Sequence, residues 1–130
     1  MTRSYRLTKG NSEDIGFAST CLVANAISFS EFKEWIYYVI QHTENVPTYL
    51  FEILDIDEKY DYTLKRQSVI GFTPSWEGTN QEENALDGIA YKRNLNHKSD
   101  SVNREDALKA LEEQSHIEKH FREMFPFIKW

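Results

Sequence analysis

A chain of 130 residues with 40% hydrophobic and 14% aromatic side chains can build one core without disulfides or a structural metal, and it is too aromatic to be disordered. Its 21 acids against 15 bases leave a net charge of -6, which argues against nucleic acid as the main ligand, because phosphate binding needs a basic surface. Cys21 is the only cysteine, so no internal disulfide can form; no apolar signal core follows Arg3, Arg6 and Lys9, and no run of about 18 apolar residues offers a membrane span, so one cytoplasmic domain over residues 1–130 is expected.

The first predicted helix runs from about Ser12 to Ala26. Asn11 or Ser12 can cap it, Glu13 and Asp14 suit its positive end, and Ile15, Ala18, Cys21 and Leu22 line one side. Cys21 therefore reads as a buried structural thiol. The second helix is the clearest. Ser28 and Glu31 have capping-box spacing, and Ile27 can staple onto Phe32. Phe32, Trp35, Ile36, Val39 and Ile40 recur at helical intervals, and Tyr37 and Tyr38 widen the stripe, which predicts a central element.

Asn45 marks a turn, and Pro47 fits the first turn of a third helix carrying Tyr49, Leu50, Ile53 and Leu54 up to Asp55. Residues 56–70 stay open between two states. Tyr60 and Leu64 allow a helix ended by Gly71, whereas Tyr60, Tyr62 and Leu64 also alternate as in a strand. Residues 72–78 read as an ordered loop with Phe72 and Trp76 pinned into the body.

Thr79 and Glu82 repeat the capping-box pattern ahead of a helix with Ala85, Leu86, Ile89 and Ala90. Gly88 inside it costs about 1 kcal/mol against alanine, and a close helix crossing would explain it. After a polar loop over residues 94–101, Asn103 can cap a long final helix from about Arg104 to Phe125, stopped by Pro126. The tail Phe127-Ile128-Lys129-Trp130 is too apolar to hang free. The sum is an all-α fold, an irregular bundle of five to six helices.

Little in this order of residues carries chemistry. No nucleophile elbow, phosphate loop or dinucleotide fingerprint occurs. His116 and His120 share a helix face with Glu113 three residues upstream of His116, which is half of a carboxylate di-iron pattern without its second copy. The zinc-protease pattern is also missing, since the residues read His-Ile-Glu-Lys-His. Asp55, Asp57 and Asp61 sit like the first ligands of a calcium loop, but Tyr60 replaces the required glycine and Arg66 the closing glutamate. The expectation is a non-enzymatic protein with no cofactor and no metal, a metal-dependent enzyme on His116 and His120 being the rival from another class.

Charge distribution says more. Glu52, Asp55, Asp57, Glu58 and Asp61 share their stretch with one base, Lys59. Glu77, Glu82, Glu83 and Asp87 share theirs with none. Tyr60 and Trp76 are the aromatic candidates among these acids, with Tyr49, Phe51 and Tyr62 close by in sequence. Acids that steer an encounter and aromatics that anchor it suit a basic protein partner. Taken singly, each aromatic also fits a core position and the acids also fit plain solvation.

Four stretches resemble a known family. Ser30-Glu31-Phe32-Lys33-Glu34-Trp35-Ile36, Pro47-Thr48-Tyr49-Leu50-Phe51-Glu52, Gly71-Phe72-Thr73-Pro74-Ser75-Trp76 and Leu86-Asp87-Gly88-Ile89-Ala90-Tyr91 together resemble small helical bacterial immunity proteins of contact-dependent growth inhibition and related toxin systems, over roughly Asp14 to Arg93. The resemblance implies a cytoplasmic antidote that binds the C-terminal domain of a cognate toxin, commonly a basic nuclease such as an RNase, with no direct contact to nucleic acid or membrane. The motifs are structural, so no catalytic residue carries over, and the contact residues named above rest on charge pattern alone. A helical adaptor or regulatory domain unrelated to toxins is the other reading of the same surface.

Overall fold

The computed structural model describes residues 4–94 and 96–130; Arg3, counted above among the basic residues of the amino-terminal stretch, lies outside them. The described residues form seven α-helices: α1 Glu13–Val23, α2 Phe29–His42, α3 Tyr49–Leu54, α4 Lys59–Ile70, α5 Asn80–Arg93, α6 Arg104–Glu113 and α7 Ser115–Met124. The only β-type pairing among them is one isolated bridge, Thr8 to Asn11. The class is all-α, with more helices than the five to six expected. The chain divides into two compact units, one made of the stretch ending at Thr20 together with Phe29–Glu77, the other of Cys21–Ser28 together with Gly78–Trp130.

In the first unit, Ile15, Phe17 and Ala18 of α1 are fully buried, more than the one apolar side that the spacing predicts. Gly16 is obligatory there, because a Cβ on it would stand 2.5 Å from the Ser75 carbonyl carbon and 2.7 Å from the Trp76 nitrogen. The start of α1 is held by Arg6, whose backbone N–H and guanidinium both donate to the buried Asp14 carboxylate, at 2.7 and 2.9 Å. That arrangement keeps a buried charge paired.

The second helix buries Phe32, Trp35, Ile36 and Val39, as its spacing predicts. Tyr37 does not widen the stripe; it is exposed, because its position turns it to the opposite side of α2. Tyr62 of α4 packs on Phe32 with ring centroids 5.1 Å apart, and its hydroxyl pairs with the Ser19 hydroxyl at 2.7 Å. Tyr49 of α3 donates to the Leu7 carbonyl at 2.6 Å. Each phenol thus enters the core with its polar end satisfied.

Residues 59–70 are helical, which decides the choice between helix and strand. Gly71 ends α4 at a φ of 90°, the left-handed turn that glycine takes without strain. The buried members are Tyr62 and Ile70, so the Tyr60 and Leu64 pair that made a helix plausible lies on the outer face. Phe72 and Trp76 in the following loop are half-buried against Tyr49 and Phe17, as expected.

In the second unit, Thr79 and Glu82 close the capping box that starts α5. Gly88 sits where α5 meets α6: a Cβ there would be 2.5 Å from the Ala107 carbonyl oxygen. The expected long final helix is two helices, interrupted at Gln114, whose φ and ψ of -106° and 55° are not helical. The reason can be read in the residues. A continuous stripe from Leu111 would need apolar side chains at 114, 115 and 118, and the chain offers Gln114, Ser115 and Glu118. The buried set resumes at Ile117, Phe121 and Met124. The tail folds back onto α7: Ile128 is buried, and Trp130 lies edge-on to Phe121 and under the Arg122 guanidinium, 4.2 Å from the ring centre.

Candidate protein-binding surface

The α3–α4 hairpin is the part of the first unit where sequence forces charge and apolar side chains outward together. Six residues make α3, and Tyr49, Leu50 and Ile53 use its inner side, leaving Phe51 and Glu52 outside. Asp55 ends the helix, residues 56–58 are irregular, and the backbone of Glu58 is extended where α4 begins. Acidic residues suit this position beside the amino end of a helix.

Glu52, Asp55, Asp57 and Glu58 are all exposed, and Asp61 in the first turn of α4 is half-buried. Lys59, the one base in that stretch, is half-buried, and burial holds its ammonium below the usual lysine range. Among these acids stand the large apolar side chains Tyr60, Leu64 and Phe51, exposed by 71%, 65% and 49%. Among the described residues only Val23 and Tyr37 join them as exposed large hydrophobics. Tyr60 and Leu64 lie one turn apart on one face of α4.

The other expected contact residues fall into different settings. Trp76 is half-buried, edge-on to Phe17 at 5.1 Å, so much of its ring serves the core; Glu77 beside it is exposed. Glu82, Glu83 and Asp87 belong to α5 in the second unit. Glu82 is engaged there: its carboxylate accepts from the Thr79 backbone at 2.9 Å and faces His116 Nε2 at 2.6 Å, and these two partners, Thr79 first, hold it below the usual carboxylate range. Asp87 faces the buried His97 at 3.4 Å. Glu83 alone of the three is exposed.

Leu64 was not expected as a contact residue from the sequence, and Phe51 was noted there only as an aromatic lying close to the acids. The signal for Leu64 was present, since Tyr60 and Leu64 repeat at one helical face while Tyr62 and Ile70 repeat at another, but apolar spacing alone does not say which face is inside. His116, which drew attention as a metal ligand, is spent on Glu82. Among the described residues, no group of three or more His, Cys, Asp or Glu side chains is placed to hold a metal ion. Cys21 is fully buried, and that burial pushes its thiol well above the usual cysteine range, away from nucleophilic use. No described helix is long and apolar enough to cross a membrane.

Compared with models of protein families, with curated proteins and with solved structures, the chain matches none.

Proposed function

We propose that this protein is an immunity protein, which binds and neutralises the C-terminal domain of a cognate bacterial toxin, a basic nuclease such as an RNase, from the cytoplasm. The observation that carries the reading is the α3–α4 surface, where exposed Tyr60, Leu64 and Phe51 stand among Glu52, Asp55, Asp57 and Glu58. Large apolar side chains left in water on one helix face, as Tyr60 and Leu64 are, mark interaction sites, and aromatic anchors within a charged rim are the usual makeup of a tight interface. Acids around such anchors speed the encounter with a basic surface and discourage acidic competitors. A basic nuclease offers that surface in the cleft where it holds phosphates. Glu77, exposed in the same unit, is available as a further acid, whereas Glu82 and Asp87 already serve histidines of their own unit.

The test is titration calorimetry with the C-terminal domain of the toxin encoded next to this protein, alongside an assay of that domain's nuclease activity. Nanomolar one-to-one binding with loss of cleavage is expected. Absence of binding would overturn the reading. Binding that is unchanged when Glu52, Asp57 and Glu58 are all replaced by lysine would keep the function but remove α3–α4 as its surface.

A further inference from the structure

The outer face of α4 is self-complementary. Its two exposed apolar side chains, Tyr60 and Leu64, form a short ridge one turn long. Along one edge of that ridge run Asp61 and Lys65, again one turn apart, the acid toward the amino end and the base toward the carboxyl end. The opposite edge carries Thr63 and Gln67, which are neutral and exposed. An acid and a base in this order on one edge match the same helix turned end for end. When two copies of α4 pack antiparallel about a two-fold axis, the same edges meet. Tyr60 then lies on Leu64 of the other copy, and Asp61 lies beside Lys65 of the other copy. Symmetry repeats both contacts.

We infer that a second copy of this chain covers the Tyr60–Leu64 face of α4, giving an antiparallel two-fold dimer with reciprocal Asp61–Lys65 ion pairs. Two-fold dimers are the commonest closed assembly, and they need a patch that fits itself, which the order Tyr60, Asp61, Leu64, Lys65 supplies. Parallel packing about a two-fold would bring opposite edges together and set Asp61 and Lys65 against the neutral Thr63 and Gln67, so only the antiparallel arrangement forms the ion pairs. The same contact accounts for the exposure of the pair: two large apolar side chains one turn apart gain from leaving water together. With one turn of apolar contact on each copy, the dimer is a weak one, its dissociation constant in the range of roughly 10–500 μM. The weak dimer holds this face only in the free protein and gives way to a nanomolar toxin on the same side chains. The inference does not rest on toxin binding, and it is read with the protein alone.

The experiment is sedimentation equilibrium of the full chain up to about 1 mM, at low and at high salt. The expected result is a monomer–dimer equilibrium that weakens with salt. Leu64→Asp should leave a monomer throughout, with the helical circular dichroism and melting temperature of the parent as the control for folding. Asp61→Lys puts lysine opposite lysine twice, and Lys65→Asp does the same with acids; each should weaken dimerisation about fivefold or more. The double variant Asp61→Lys with Lys65→Asp restores both pairs with their signs exchanged and should return to within about threefold of the parent. A monomer at every concentration overturns the inference. So does a dimer that survives Leu64→Asp, or a double variant as weak as either single one, because each places the contact elsewhere or in another register.

Discussion

Gly88 and Ala107 are in backbone contact: a Cβ on the glycine would stand 2.5 Å from the alanine carbonyl oxygen and 2.9 Å from the Leu111 Cβ. The first of these neighbours is main chain and cannot rotate away. Helix propensity favours Gly88→Ala by about 1 kcal/mol, but overpacking of a tight crossing costs more. The expected net outcome is a loss of about 1–3 kcal/mol in urea unfolding. A stabilised variant would show that α5 and α6 are free to separate without penalty.

The pair of hydroxyls on Ser19 and Tyr62 should behave as one unit. Tyr62→Phe leaves the buried Ser19 oxygen without that partner, at a cost of about 1–2 kcal/mol. Ser19→Ala does the reverse by a similar amount. Removing both should cost less than the two changes added together, and a double-mutant cycle in urea reads the difference. Strict additivity would mean that the hydrogen bond contributes nothing beyond its surroundings.

The same tyrosine predicts an alkaline limit. Burial, the largest influence on it, raises the Tyr62 phenol from 10.0 to about 12, and burial raises Tyr49 as well. A group whose folded pKa lies above its unfolded value contributes its full stability below the unfolded value. For Tyr62 that contribution is present below about pH 10 and is lost as pH climbs toward 12. Unfolding free energies measured between pH 9 and 11 should fall with pH, less steeply in Tyr62→Phe. A flat profile in the parent would mean that neither phenol is held protonated by the fold.

Glu82 sets a limit at the acid end. Its carboxylate is depressed by the Thr79 backbone and by His116, so its contribution is present above the ordinary carboxylate pKa of 4.5 and is lost as pH falls through the lower folded value. Glu82→Gln should therefore be less stable than the parent at pH 7 and approach it in acid. Thr79→Ala, which removes the other half of the capping box, should cost about 1 kcal/mol at neutral pH. Thermal melts at a series of pH values check both. An equal loss at pH 3 and pH 7 for Glu82→Gln would assign its effect to packing.

Lysine replacements at Glu52, Asp57 and Glu58 should separate binding from folding. All three are exposed, so each is expected to shift stability by less than about 0.5 kcal/mol. Association with a basic toxin domain should slow at low salt, and the difference should shrink as salt is added. Stopped-flow association rates at two salt concentrations read this directly. Equal slowing at both would point to a shape change instead of lost steering.

Elements governed by local rules were legible in the residues. The Thr79 and Glu82 spacing gave a capping box, Asn103 capped α6, and the recurrence of Phe32, Trp35, Ile36 and Val39 gave the buried side of α2. The close crossing at Gly88 was legible too, because a glycine inside a helix needs a compensating reason. Features that depend on which of two faces wins were not. Tyr60 and Leu64 have the spacing of a core stripe, yet Tyr62 takes the inner side because its hydroxyl finds Ser19, forty-three positions earlier in the chain. The break at Gln114 was missed because neither glycine nor proline marks it; it follows from missing apolar residues at 114, 115 and 118. For the candidate surface, the acids from Glu52 to Glu58 could be placed outside from charge alone, whereas the engagement of Glu82 and Asp87 required knowing where His116 and His97 lie.

The sole thiol has a practical consequence. Cys21 is fully buried in the last turn of α1, so a thiol reagent can reach it only when that turn opens. In the absence of any other cysteine, the rate at which such a reagent labels the native protein becomes a clock for that opening, and its dependence on denaturant separates a local breathing motion from whole-chain unfolding. The protein carries its own gauge of internal motion, readable by mass without any engineered label.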